Sequence, residues 1–160
     1  MTWGELELAA PEIATLGRER LERVGLALLG TLRRDGWPRI GPVEPHLTAG
    51  RLLVGVMPRS LKARDLARDS RCTLQSIVTD PDSGDPELKL YGRAVEVAED
   101  ELRNAPRQAW WSGRKREDAR VFDIEIIQAA FVTWDVVRGE MTVRSWARGG
   151  RQQTTSRPYP

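Results

Sequence analysis

Apolar positions in this 160-residue chain recur with two different periods. Behind Pro11, which suits a first helical turn, Ile13, Leu16 and Leu21 return at roughly helical spacing and predict a helix over residues 11–23. From Leu26 the spacing shortens to that of strands, predicted at 26–32, 37–47 and 51–57. Asp35-Gly36 between the first two reads as a hairpin turn. Pro58 breaks the third strand, and an amphipathic helix is predicted over 60–69. Strands at 71–79 and 88–97 flank a polar loop, Asp80-Pro-Asp-Ser-Gly-Asp-Pro86, and Gly92 marks a bulge. A helix at 99–111 and strands at 120–127, 129–136 and 140–146 complete the series. From Arg148 the chain has nothing to bury, so 148–160 is read as a flexible tail. No βαβ alternation and no repeat appear. The order predicts a mainly β fold with peripheral helices: an antiparallel barrel over 1–147, with an N-terminal helix.

Composition narrows the chemistry. Hydrophobic residues at 40% and charged residues at 30% are ordinary for a globular protein. No apolar run approaches the ~20 residues needed to span a bilayer, and the acidic start lacks the features of a signal peptide. The protein is read as cytoplasmic, with no membrane partner. A single cysteine, Cys72, rules out an intrachain disulfide and a cysteine zinc cluster; it sits in an apolar strand pattern as a buried thiol. A single histidine, His46, argues against the multi-ligand zinc sites and partnered triads of many hydrolases, so no metal is expected. A net charge of +2 is too small to argue for nucleic acid, although Arg114, Lys115 and Arg116 cluster and the C-terminal end is arginine-rich. Six tryptophans suggest that several line a core, a pocket or an interface.

Two segments carry candidate chemistry. In Val54-Gly-Val-Met-Pro-Arg-Ser-Leu-Lys-Ala-Arg-Asp-Leu-Ala-Arg-Asp-Ser-Arg71, a strand meets a breaker, and Ser60 opens a helix rich in cations. Free N–H groups, the positive end of the helix dipole, a hydroxyl and a lysine would then meet where a phosphate can be held. The same pattern also serves as a plain strand–turn–helix with Ser60 as N-cap. The second segment is the strand with Pro38, Pro42 and Pro45. Proline donates nothing to a ladder, so this strand lies partly at an edge or is bulged, its backbone either facing a ligand or blunted against aggregation.

Taken together, Gly30-Thr-Leu-Arg-Arg-Asp-Gly-Trp-Pro-Arg-Ile-Gly-Pro-Val43, Leu53 to Arg71 and Glu87 to Val97 resemble the pyridoxamine 5'-phosphate oxidase-like family, flavin- and deazaflavin-binding split β-barrels. The likeness is good over 26–97 and loose elsewhere. It implies a homodimer with cofactors in grooves between subunits. Arg39, Ile40, Gly41, Pro42 and Val43 would lie along the flavin ring. Met57, Arg59, Ser60 and Lys62 would take the ribityl phosphate, with Arg64 as a further cation. Trp110 or Trp111 could stack on the partner's ring or pack a helix end, and His46 could donate a proton or simply sit on a strand face. There are departures. Val143-Arg-Ser-Trp-Ala-Arg-Gly-Gly150 does not match the family's Arg- and His-bearing substrate motif, so vitamin B6 oxidation is not implied. Glu44-Pro-His46 stands where many relatives have an aromatic, and Leu61 where a basic residue is common.

The resemblance implies an FMN-dependent oxidoreductase moving a hydride to or from a small organic molecule. Two alternatives stand beside it. One is an enzyme using an 8-hydroxy-5-deazaflavin, whose acidic tail would need a long basic groove. The other is a non-enzymatic barrel that stores or senses a flavin.

Overall fold

The computed structural model describes residues 1–80, 83–110 and 119–159. Its order is α1 (Trp3–Ala9), α2 (Pro11–Val24), β1 (Ala27–Leu32), β2 (Pro38–Val43), β3 (Pro45–Thr48), β4 (Arg51–Val56), α3 (Leu61–Arg68), β5 (Arg71–Ser76), β6 (Glu87–Glu96), α4 (Asp100–Trp110), β7 (Arg120–Asp135), β8 (Glu140–Ala147) and β9 (Gln153–Pro158). The strands form one antiparallel sheet in the order β2-β1-β5-β6-β7-β4-β3, with β8 paired to β7 and β9 to β8. Only Glu44 separates β2 from β3, so the two ends of this path are joined through the chain itself. The sheet therefore curls into a barrel that is split where β2 gives way to β3.

Alternation decides what fills the barrel. One row of paired residues crosses it through Gly41, Leu29, Leu74, Leu90, Ala129 and Trp146. The leucines and Trp146 in this row are buried. The adjacent row, Ile40, Gly30, Thr73, Tyr91, Gln128 and Ala147, points the other way, and its Ile40 and Tyr91 are exposed. Trp3 and Leu6 of α1, Ile13 and Leu21 of α2, and Ala63 and Leu66 of α3 join the inner cluster. A satellite cluster of Leu53, Val97 and Val121 packs with Leu102 of α4.

The hairpin forms as its sequence dictates: Gly36 takes φ +85°, a conformation that suits glycine, and the Asp35 carboxylate accepts from Trp37 N. A bulge forms beside Gly92, but on the facing strand: the register shifts between Tyr91 and Gly92, and the extra residue is Ile127 of β7. A Cβ on Gly92 would collide with the Glu125 carbonyl oxygen.

Elsewhere the structure departs from the expected elements. Residues 3–9 form a helix that a seven-residue window hides; Thr2 and Glu5 close a capping box on it. The segment expected as 37–47 breaks at Glu44 because its halves pair with different strands, β1 and β4. The strands expected at 120–127 and 129–136 are one strand, β7, because the bulge opposite Tyr91 and Gly92 absorbs the change of phase. The segment 148–160, expected as a flexible tail, carries the ordered strand β9. All six residues of β9 are exposed, and the strand is held by its ladder to β8 and by the Thr142–Ser156 hydroxyl pair. A strand that buries nothing has no hydrophobic pattern to announce it.

Candidate functional site

β2 ends one side of the sheet path and, among the described residues, pairs with β1 alone, so its second edge carries no strand there. Facing it is α3. Pro58 ends the extended run after β4, and the turn closes with Ser60 N donating to Met57 O at 3.0 Å. Ser60 then caps the helix, its hydroxyl accepting from Ala63 N at 3.2 Å. The N-cap reading of Ser60 thus holds, and it sets the helix's positive end beside β2. Met57 and Arg59 are exposed on this turn.

Contacts between strand and helix follow matching periods. Arg39 and Gly41 are two apart on β2; Lys62 and Asp65 are three apart on α3, one face of each element. Lys62 Nζ donates to Pro42 O at 2.6 Å. A Cβ built on Gly41 would touch Lys62 Nζ at 3.4 Å, so the glycine leaves room for the lysine stem along the strand. Lys62 has no carboxylate partner among the described residues, and burial holds its ammonium pKa below the usual lysine value. Arg39 Nε donates to Asp65 at 2.7 Å, and Thr31 and Arg68 hydrogen-bond the same carboxylate. Burial alone would raise the Asp65 pKa, but those three donors outweigh it and hold the carboxyl below its ordinary value. Asp65 is a site residue that belongs to neither candidate motif's predicted chemistry. The available signal is a carboxylate set between the buried Ala63 and Leu66, which demands partners.

Ile40 and Pro42 point away from α3 and are exposed, while Val43 is buried at the strand end. Ile40 borders a groove of about 480 Å³ on the outer sheet face, together with Tyr91, Arg93, Ile127 and Gln128. His46 lies on β3, across from Leu53, with its pKa lowered by burial. It belongs to the other half of the broken strand, apart from the Lys62–Pro42 contact. Cys72 is buried, and burial pushes its thiol up to about 12. Trp111, Arg114, Lys115 and Arg116 lie outside the described residues, as does the side chain of Trp110. Leu61 is exposed, and Arg39 and Arg64 line the same groove beside it.

A barrel split at a proline-rich strand, with a strand–proline–helix segment laid over the open edge, is the split β-barrel of the pyridoxamine 5'-phosphate oxidase-like proteins. Solved structures agree on the fold. PhzG from Burkholderia lata 383, determined with tetrahydrophenazine-1-carboxylic acid, superposes with a TM-score of 0.67 at 15% identity, over 96% of this chain and 92% of that one. A pyridoxamine 5'-phosphate oxidase-related, FMN-binding protein from Nostoc punctiforme matches with a TM-score of 0.62 at 13% identity, over 94% and 97%. A heme-binding protein from Mycobacterium smegmatis matches with a TM-score of 0.54 at 20% identity, over 86% of this chain and 56% of its own. No family model and no curated protein sequence matches the chain. Among the described residues, no helix is long and apolar enough to cross a membrane.

Proposed function

We propose that this protein is an FMN-binding oxidoreductase that works as a homodimer on a small organic substrate, and that it does not oxidise vitamin B6. The observation that carries the reading is Lys62: a partly buried ammonium with no carboxylate among the described residues, resting on the open edge of β2 beside a helix N-terminus. A half-buried cation without a carboxylate beside it suits a phosphate dianion. Lys62, the Ser60 hydroxyl and Arg39 would hold the ribityl phosphate, with Met57 and Arg59 bordering it. The backbone of Arg39 to Val43 would lie along the ring. When bound, FMN supplies the hydride chemistry. The chain's residues bind and orient it, and the partner subunit's outer face excludes water. The exposed Ile40, Tyr91, Val95 and Ile127 share the outer sheet face, the kind of apolar patch that marks an interface.

The test is the visible absorption spectrum of the purified protein, with mass spectrometry of what denaturant releases. A two-band yellow spectrum with an FMN mass is the expected result. A single deazaflavin band with a ladder of glutamate masses would replace FMN by the 8-hydroxy-5-deazaflavin coenzyme. A heme band would overturn the flavin reading. A colourless protein that binds neither added flavin nor deazaflavin would leave a barrel without this chemistry.

A further inference from the structure

A second groove, of about 420 Å³, runs between the β1–β2 hairpin and α3, with Arg39 and Leu61, the neighbour of Lys62, in its lining. Its volume is in the range of sites that hold a whole ligand group. Five guanidiniums line it against two carboxylates, Asp35 and Asp65. They are not equally free. Asp65, itself buried, holds Arg39 through Nε and Arg68 through a 3.4 Å contact, and Arg68 also donates to Leu32 O. Arg33 pairs with Asp35 at 2.8 Å. Arg34 and Arg64 are exposed and have no ion-pair partner among the described residues. A merely solvated basic face has no need of a buried carboxylate, satisfied by three donors, to fix where its guanidiniums stand. The groove instead combines oriented cations with uncommitted ones, an arrangement that suits planar bidentate recognition of phosphate or carboxylate.

We propose that this arginine groove is an anion subsite for a second phosphate or carboxylate group, next to the one at Lys62. The proposal rests on the flavin reading for what occupies Lys62. The second group is either an extension carried by the flavin itself or a separate small oligoanion bound alongside it; the recognising chemistry is the same. It also accounts for Leu61, since Arg39 and Arg64 bring charge to the groove where that position brings none.

The experiment compares the affinities of FMN and FAD, read by flavin fluorescence at low ionic strength, in the unmodified protein, in an Arg34→Gln/Arg64→Gln variant and in Lys62→Ala. An FAD preference of about tenfold, the size of a charge-assisted hydrogen bond, that falls to about one in the arginine variant supports the extension. Equal affinities, with inorganic pyrophosphate raising the melting temperature of the FMN-loaded protein but not of the loaded variant, support the separate anion. Lys62→Ala is expected to weaken both flavins alike. If neither a flavin preference nor pyrophosphate stabilisation depends on Arg34 and Arg64, the subsite is wrong. Should no flavin bind while pyrophosphate still stabilises the protein through these arginines, the subsite stands and the flavin reading falls.

Discussion

Lys62 and Cys72 show how the same force acts oppositely on two side chains. Burial disfavours the charged form of each, lowering the pKa of the ammonium and raising that of the thiol to about 12. For Cys72 the result is inertness. Maleimide at pH 8 is expected to leave it unlabelled in the native protein and to label it once denaturant exposes the barrel interior; fast native labelling would contradict its placement. For Lys62 the result is a charge in want of an anion. Lys62→Ala is expected to lower flavin affinity at least about tenfold, the loss of one charge-assisted bond. Isothermal titration that finds no loss would mean the phosphate lies elsewhere. Legibility differed at this scale as well. Lys62 and Ser60 stood out because a breaker, a cap and a cation fall in order, whereas Asp65 did not, because its partners Thr31, Arg39 and Arg68 lie 34, 26 and 3 residues away.

At the scale of elements, two contacts carry the barrel's geometry. Gly92 lets β6 shift register against β7 where the Glu125 carbonyl passes. Gly92→Ala forces backbone apart and is expected to cost about 1–3 kcal/mol, measurable by urea denaturation. The second contact ties α2 to the loop after β5: the buried Arg20 grips Asp85 at 2.5 and 2.6 Å, and Thr79 donates to the same carboxylate. Arg20 is the main reason that the Asp85 carboxyl sits well below its ordinary value, with Thr79 adding to it. A depressed folded pKa contributes stability that is complete above the unfolded value of about 3.9 and fades as pH falls below it. Asp85→Asn is therefore expected to be less stable at neutral pH and to show a shallower loss between about pH 4 and 2. Identical acid limbs in thermal melts would contradict the pairing.

At the scale of the whole molecule, the outer face of the sheet carries exposed apolar side chains. Ile40 at 68% exposure, Tyr91 at 45% and Ile127 at 36% line one groove of the barrel wall. Burying that groove in a two-fold interface would return apolar area to the interior at roughly 25 cal/mol per Å². Ile127→Glu puts a charge in that groove. Sedimentation equilibrium is expected to show a dimer for the unmodified protein and a monomer for the variant, with flavin retention falling in parallel. A monomeric unmodified protein that still holds flavin would remove the partner from the site.

Sequence by itself determined the elements whose signals are local. The hairpin at Asp35-Gly36, the cap at Ser60, the irregularity at Gly92 and the proline-rich edge strand each follow from the conformational limits of one or two residues. They were enough to mark the strand–helix segment of the candidate site, while the barrel was legible in the order of the predicted elements and the family resemblance. Tertiary structure decided what depends on partners distant in the chain. It broke the strand at Glu44 because β1 and β4 compete for its two halves, and it ordered β9 through a ladder in which every side chain is exposed. It also set Asp65 among the arginines of the groove. The reason is physical: backbone stiffness and side-chain shape act within a few residues, whereas ladders and ion pairs form only after folding has brought remote segments together.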